Sequence, residues 1–265
     1  MKSEAVDSRL EKFEAFFSGV GFEPHRHDTY AVGRTLAGVH RFNYRGAKRS
    51  SLPGNTIIIH PDELHDGESG TDDGFYYRIM YIQPHILQTV LGGRPLPYIH
   101  GGVSKDPRLH LATNFLMDNL DESPEILQEE DIIFELANTL SDVAGNKRGR
   151  VAYDYAAAEK AREYIHYSID SHITMDELSK VSGREKWSLS RDFRALFGTS
   201  PYRYLTMRRL SLAKHFMSKG DSIPMSAVAA GFTDQSHMTK QFKKAFGITP
   251  KQWLSKHLLY CKRSF

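Results

Sequence analysis

Two stretches of the 265-residue chain carry side chains whose types and spacing suit a polyanionic partner, and the two are copies of each other. SLSRDFRALFGTSPYRYL, residues 188–205, matches HMTKQFKKAFGITPKQWL, residues 237–254, at an offset of 49. Phe193 aligns with Phe242, Phe197 with Phe246, Gly198 with Gly247, Pro201 with Pro250 and Leu205 with Leu254. The basic positions align too, Arg191 with Lys240 and Arg194 with Lys243. Leu189, Phe193 and Phe197 fall at successive i, i+4 positions, so on a helix they share one face, and that face is core. Lys186, Trp187, Ser190, Arg191 and Arg194 fall on the other faces and remain available to a partner. In the second copy Met238, Phe242 and Phe246 form the buried stripe, which leaves Gln235, Ser236, Thr239, Lys240 and Lys243 outward. A core position for Trp187, and a merely solvated face for Lys243 and Lys244, are the plainer alternatives.

Something must hold each outward helix. Ahead of each copy lies a shorter helical segment and a glycine-bearing turn, MDELSKVSG before the first and PMSAVAAGF before the second. The order is helix, turn, helix, twice over. Gly183 and Gly231 stand where such a turn needs positive φ, and Asp234 is placed to cap the second outward helix. Gly198 and Gly247 suit the C′ position after each outward helix, with Pro201 and Pro250 soon after to stop its continuation. AAAEKAREYIHYSI reads as a further helix, and no convincing strand follows it.

On these marks the segment from about Ala157 to Leu254 resembles the AraC family of bacterial regulators. The marks are LSRDFRALFGTSPYRYL, the Arg208–Ala213 stretch RRLSLA, and GFTDQSHMTKQFKKAFGITP. The resemblance implies a tandem pair of helix-turn-helix units joined by a long helix, with Trp187, Ser190 and Arg191 of the first unit, and Gln235, Ser236, Thr239 and Lys240 of the second, facing the major groove of a double-stranded operator. Residue chemistry agrees: Arg191 suits a bidentate contact to guanine, Gln235 one to adenine, and Trp187 offers apolar surface to thymine methyls. Two recognition helices about 34 Å apart would enter successive major grooves. Because the two outward rows differ, one subunit is expected to read an asymmetric site. Two positions depart from the family: it usually has an aliphatic residue where Ser226 stands and often a serine cap where Glu185 stands. A carboxylate at Glu185 near phosphate would weaken affinity there.

The preceding half has another texture. Between residues 20 and 84, TYAVG, LAGVHRFNYRG, NTIIIHP and FYYRIMYIQP read as short extended segments parted by turn residues, an antiparallel sheet or barrel. From Asp106 the spacing turns helical, with Leu109, Phe115, Leu116 and Leu120 in one segment and Ile126, Ile132, Ile133, Leu136 and Leu140 in the next. Their stripes suit either packing on the sheet or pairing with a second subunit. GNKRGR, residues 145–150, is polar and glycine-bearing, and the charge changes sign there: residues 1–149 hold 15 Lys and Arg against 22 Asp and Glu, residues 150–265 hold 20 against 10. The fold expected is therefore α+β in two domains: an N-terminal antiparallel β-barrel with helices over residues 1–147, a linker at 148–154, and an all-α domain with two helix-turn-helix units over 155–265.

The first domain resembles the cupin-type sensor found at the amino end of many AraC-family members, on the strength of HRHDTY at 25–30, GVHRF at 38–42 and PGNTIIIHPDELHDG. His25, His27 and His65 stand at positions similar to the metal-ligand histidines of cupin enzymes, and three neutral imidazoles could hold a first-row divalent ion. The glutamate those enzymes carry after the His-x-His pair is absent, since Ala31 and Val32 stand there. The expectation is therefore no metal, no cofactor and no catalysis, with the histidines binding an effector or shaping the domain. His25, His27, Tyr30, Tyr44, His65, Tyr76 and Arg78 are the candidate effector residues; Arg78 suits a carboxylate ligand or a structural ion pair. Two rivals stand beside this reading: a metal-dependent cupin enzyme with a basic tail, and a regulator whose first domain only dimerises.

Bulk properties agree with a bacterial, cytoplasmic transcription factor. No apolar run approaches the roughly 20 residues of a membrane span, and MKSEAVDSRLEKFEAFF has early charges and no cleavable apolar core. The single cysteine, Cys261, excludes an intrachain disulfide and reads as an incidental surface thiol. The partners expected are operator DNA, a small-molecule effector and a second copy of the chain, with RNA polymerase a further candidate and no membrane.

Overall fold

The computed structural model describes residues 10–119, 126–145 and 152–261. Residues 148–151 of the expected linker, Leu120 and the first nine residues lie outside these, as does the side chain of Cys261. The chain divides into two compact units, one formed by residues 9–155 with 192–199, the other chiefly by 156–191 with 200–265.

The first unit is built from strands β1 (Leu10–Phe17), β2 (Val20–His25), β3 (Tyr30–Gly38), β4 (His40–Tyr44), β5 (Ala47–Ser51), β6 (Thr56–Ile59), β7 (His65–Ser69), β8 (Phe75–Ile82) and β9 (Val103–Ser104). The strands pair antiparallel. The strands form two sheets, ordered β1-β8-β3-β6-β9 and β2-β7-β4-β5, so the expected barrel is not closed. Strand β3 stops at Gly38, where the chain passes from one sheet to the other. Its φ is +70°, and a Cβ there would stand 2.1 Å from the Gly74 carbonyl oxygen, so only glycine lets the chain leave one sheet for the other. LAGVHRFNYRG is accordingly two strands in different sheets rather than one segment.

Alternation along the five-stranded sheet gives it two apolar faces. Ala31, Ile57, Ile59, Phe75, Tyr77 and Ile79 meet Phe42 and Tyr44 of the four-stranded sheet in one core. Tyr30, Val32, Ile58, Met80 and Ile82 point the other way, into a second core shared with α1 (Pro84–Leu91), α2 (Pro107–Asn119) and α3 (Ile126–Val143). Leu109, Leu116, Ile132, Ile133, Leu136 and Leu140 belong to that packing. Leu111, Phe115, Ile126, Leu127 and Phe134 of the same two helices stay exposed. Sequence reading missed β1, β2, β5, β7, β9 and α1, although Pro84 at the start of α1 and Gly92 in left-handed conformation at its end are standard helix punctuation.

Seven helices follow among the described residues: α4 (Tyr155–Tyr167), α5 (Met175–Ser182), α6 (Lys186–Phe197), α7 (Pro201–Ser218), α8 (Ile223–Ala229), α9 (Gln235–Phe246) and α10 (Pro250–Cys261). Met207, Leu210, Ala213 and Met217 of α7 pack with Ala227, Phe232, Met238, Phe242 and Ala245 in one core. Thr174 and Glu177 form a reciprocal capping box at the start of α5. Gly231 has φ +82°, and a Cβ on it would come within 2.8 Å of the Ile169 carbonyl oxygen, the same oxygen that accepts from Arg209 Nε at 2.8 Å. Pro201 and Pro250 do more than stop the outward helices: each is the first residue of the next one.

Candidate nucleic-acid interface and ligand site

The outward face of α9 is positioned from both ends. Asp234 caps it, its carboxylate accepting from the His237 amide at 2.7 Å, and Gly247 closes it in left-handed conformation, donating to the Lys243 carbonyl. Met238, Phe242 and Ala245 fix its rotation by burial. Gln235, Ser236, Lys240, Lys243 and Lys244 are consequently exposed, and with half-buried Thr239 they line an open concavity of about 680 Å³ that contains no acidic residue.

On α6, Leu189, Phe193 and Phe197 are buried as the spacing requires, with the two phenylalanine rings 4.7 Å apart. Trp187 is 76% exposed, which removes the core alternative for it. Arg191 and Arg194 are exposed and Ser190 is half-buried. Lys186 forms an ion pair with Asp176 of α5 at 3.1 Å. Glu185 proves to be the cap: its carboxylate accepts from the amides of Ser188 and Trp187, both at 2.9 Å, and those bonds hold its pKa below the usual carboxylate range.

In the first unit, His25 and His65 are directly opposed on β2 and β7, and His27 follows β2 in the loop. Their ring centroids lie 4.3 Å (His25 to His65), 4.8 Å (His27 to His65) and 6.2 Å (His25 to His27) apart. Each Nδ1 sits on a backbone carbonyl two residues away: His25 on Glu23 at 2.8 Å, His27 on Thr29 at 2.8 Å, His65 on Glu63 at 3.0 Å. Burial pulls all three below the ordinary histidine range, His27 to about 3, with neighbouring imidazoles adding to the effect at His27 and His65. Among the described residues, no group of three or more His, Cys, Asp or Glu is placed to hold a metal ion. A fourth imidazole, His40, stacks on Phe75 at 4.4 Å, and burial lowers it to about 4.

An AraC-like ligand-binding domain model matches residues 9–137, and a helix-turn-helix domain model matches residues 178–256. The chain is an AraC-type transcriptional regulator. It is 27% identical over 225 residues to the uncharacterized HTH-type transcriptional regulator YbfI of Bacillus subtilis, covering 82% of this chain and 81% of that one. It is 24% identical over 250 residues to the HTH-type transcriptional activator RhaS of Yersinia pestis, covering 87% and 88%. Among solved structures, ToxT from Vibrio cholerae matches with a TM-score of 0.64 at 14% identity over 94% of this chain and 98% of that one, a likeness of fold.

Within this AraC-type regulator, a DNA-binding part and a ligand-binding part are thus both present, but the candidate effector residues do not all converge. Tyr44 is near the histidines, paired with His65 across β4 and β7, and its hydroxyl meets His60 Nδ1 at 2.6 Å. Tyr30 faces the helical side, donating to the Pro97 carbonyl at 2.7 Å. Tyr76 and Arg78 also lie on the face of β8 opposite Phe75, Tyr77 and Ile79, both bound to Glu14, with Arg78 Nε 2.6 Å from its carboxylate. Arg78 is therefore in a structural ion pair, not in the histidine cluster. The sandwich interior is also tighter than a roomy barrel: Phe22, Phe42, Tyr77 and Tyr81 fill it around His40 and His65, leaving about 10 Å³. That is space for one water at most. The larger opening, about 350 Å³, is at its mouth, between Arg26, Tyr44, Arg45, Glu63, His65 and Asp66. Sequence reading missed His40, although HRFNY places it in step with inward Phe42 and Tyr44.

Proposed function

We propose that this regulator reads an asymmetric operator with two unequal helices, α6 and α9, and that an effector entering the mouth of the first unit controls it. The observation carrying the reading is the face of α9, where Lys240, Lys243 and Lys244 supply charge and Gln235, Ser236 and Thr239 supply base-edge chemistry with no acid between them. Trp187 and Arg191 give α6 a different row, so the two half-sites differ in sequence. Arg194 and Lys186 suit phosphate, Lys186 after release from Asp176. The exposed apolar side chains of α2 and α3 favour a homodimer through those helices, since five large hydrophobics on two adjacent helices exceed the scattered exposure normal for a monomer. In this reading the protein acts in the cytoplasm, catalyses nothing and meets RNA polymerase at the promoter; among the described residues no helix is long and apolar enough to cross a membrane.

The test is an operator titration by fluorescence anisotropy between about 50 and 200 mM salt, on sites found by genome-wide mapping. Release of counterions makes affinity fall by orders of magnitude across that range for a protein with several phosphate contacts. A flat response overturns the reading, as does unchanged binding by Arg191→Ala. Sedimentation of Leu127→Glu and Phe134→Glu variants tests the dimer, which is expected to dissociate.

A further inference from the structure

Each sheet of the first unit ends in two edge strands, and three of these four edges are guarded. The five-stranded sheet ends in β1 and β9, the four-stranded sheet in β2 and β5. Strand β9 is only two residues long. Strand β2 carries Pro24, and its register with β7 shifts twice. Strand β5 has five residues, among them Lys48 and Arg49, and Lys48 is tied to Glu68 of β7 at 2.6 Å. Short length, proline, bulges and lysine are the devices by which an edge escapes pairing with another chain. Strand β1 has little of this. Its eight residues, LEKFEAFF, run in unbroken register with β8, from Leu10 opposite Ile82 to Phe17 opposite Phe75, without proline, glycine or bulge. Among the described residues no strand pairs with its other side.

An antiparallel edge strand turns part of its backbone amides and carbonyls away from its one neighbour. On β1 the open side is accompanied by Phe13 and Phe16, 41% and 60% exposed. The strand's single cation, Lys12, is the kind of residue that turns most strands away, but a second β1 answers it. In an antiparallel pair about a two-fold axis, directly opposed residues share a face, so their numbers differ by an even amount. With Phe13 on the axis, Lys12 opposes Glu14, Glu14 opposes Lys12, Leu10 opposes Phe16 and Glu11 opposes Ala15. Moving the axis one residue either way sets Lys12 against Lys12 or Glu14 against Glu14. Opposite charges directly across a ladder stabilise it, and like charges destabilise it. Glu14 is held in place by Arg78, whose Nε donates to its carboxylate at 2.6 Å, and a carboxylate so held keeps further acceptor positions.

We propose that β1 is a self-complementary edge: it pairs antiparallel with β1 of a second copy of this chain about Phe13, joining two five-stranded sheets into one of ten strands. None of its residues lies on α2 or α3, so the edge is a second surface for self-association and links two helix-mediated dimers into a tetramer. The tetramer rests on the helix-mediated dimer proposed above; the edge does not. One strand pair is a modest contact, so the edge closes in concentrated protein and stays open in dilute protein.

Two measurements on the full chain test it. The first reads the register by disulfide trapping in a Cys261→Ser background, which removes the one natural cysteine. Phe13→Cys places residue 13 opposite its own copy at a Cα spacing of about 4.5–5.5 Å, within disulfide reach, and diamide oxidation of concentrated protein is expected to join two chains. Phe16→Cys lies about 20 Å along the ladder from its own copy and is expected to stay unjoined. Joining at residue 13 that is no faster than at residue 16 overturns the proposal. The second is sedimentation of the Leu127→Glu, Phe134→Glu double variant, in which the helices no longer hold two copies together. A dimer that forms only as concentration rises is expected, weakened about tenfold by Lys12→Glu, which sets acid against acid at two places in the ladder. A monomer at every concentration overturns the edge and leaves the helix-mediated dimer untouched. A dimer indifferent to Lys12→Glu also overturns it, because the two copies are then joined elsewhere.

Discussion

His25 and His65 face each other across the β2–β7 ladder with their ring centroids 4.3 Å apart. Directly opposed residues on adjacent strands are the closest cross-strand neighbours a sheet offers, and two imidazolium ions in that position repel. Burial is the larger cause that keeps both rings below the ordinary histidine range, and at His65 the neighbouring imidazoles add to it.

The pH dependence of stability follows from the burial of these rings. His27 is held at about 3, and His40 and His60 at about 4, against an ordinary value of 6.5. Because the folded values are depressed, the unfolded chain takes up protons first as pH falls. Stability is fully present above about pH 6.5 and is lost progressively toward pH 4. Urea midpoints measured at pH 7.5, 6 and 5 are expected to fall in that order. His40→Phe, which replaces a ring whose two nitrogens have no partner among the described residues, is expected to flatten the fall and raise the midpoint at pH 5. Equal slopes for the variant and the natural chain would contradict this account of His40.

Lys243 and Gln235 separate charge from sequence reading on α9. Lys243→Ala is expected to weaken binding to every operator variant alike and to lower the salt slope by about 1. Gln235→Ala is expected to cost about 1–3 kcal/mol at a single base pair and to leave the salt slope unchanged. Comparing the two variants on a panel of single-base operator changes, each over a salt series, distinguishes these outcomes.

The repeat made this part of the molecule legible from sequence, because an offset of 49 aligns aromatic, glycine and proline positions whose roles are each set by local geometry. The histidine cluster was legible only as a list of residues. The Nδ1 atoms rest on carbonyls of Glu23, Thr29 and Glu63 that no spacing rule locates. Tyr76 and Arg78 were misplaced for a different reason. FYYRIMYI has buried large side chains at both parities, Phe75, Tyr77 and Ile79 on one and Met80 and Ile82 on the other, so alternation could not say which residues look toward the histidines. Gly38 hid the break between β3 and β4 in the same way, as one glycine inside what reads as a continuous extended run.

Ser226 departs from the aliphatic residue usual at its position, and the structure gives the consequence: it is fully buried in α8, and its hydroxyl has no partner among the described residues. An unsatisfied buried hydroxyl costs about 1–3 kcal/mol of desolvation. Ser226→Ala is expected to raise the stability of the DNA-binding unit by about 1 kcal/mol while leaving operator affinity intact, as read by chemical denaturation and anisotropy. A loss of stability on this substitution would mean that the hydroxyl is satisfied after all.

Gly231→Ala should act in the opposite direction. Its φ of +82° is strained for any residue with a Cβ, and the added carbon would press on the Ile169 carbonyl that Arg209 uses. A loss of at least about 1 kcal/mol is expected, with weakened operator binding because the turn sets the angle of α9. Denaturation and binding curves on one preparation measure both effects together.

Strand β6 is four residues long, and every one of them is buried. Ile57 and Ile59 belong to the chamber of the histidines, while Ile58 between them belongs to the helical layer that carries Phe134. The strand is therefore a party wall: neither side can be remodelled in isolation, since moving one isoleucine carries its neighbour into the other room. Inherited changes that reshape the chamber must be matched by changes among α1, α2 and α3, so the chamber and the apolar surface those helices expose are bound to drift together.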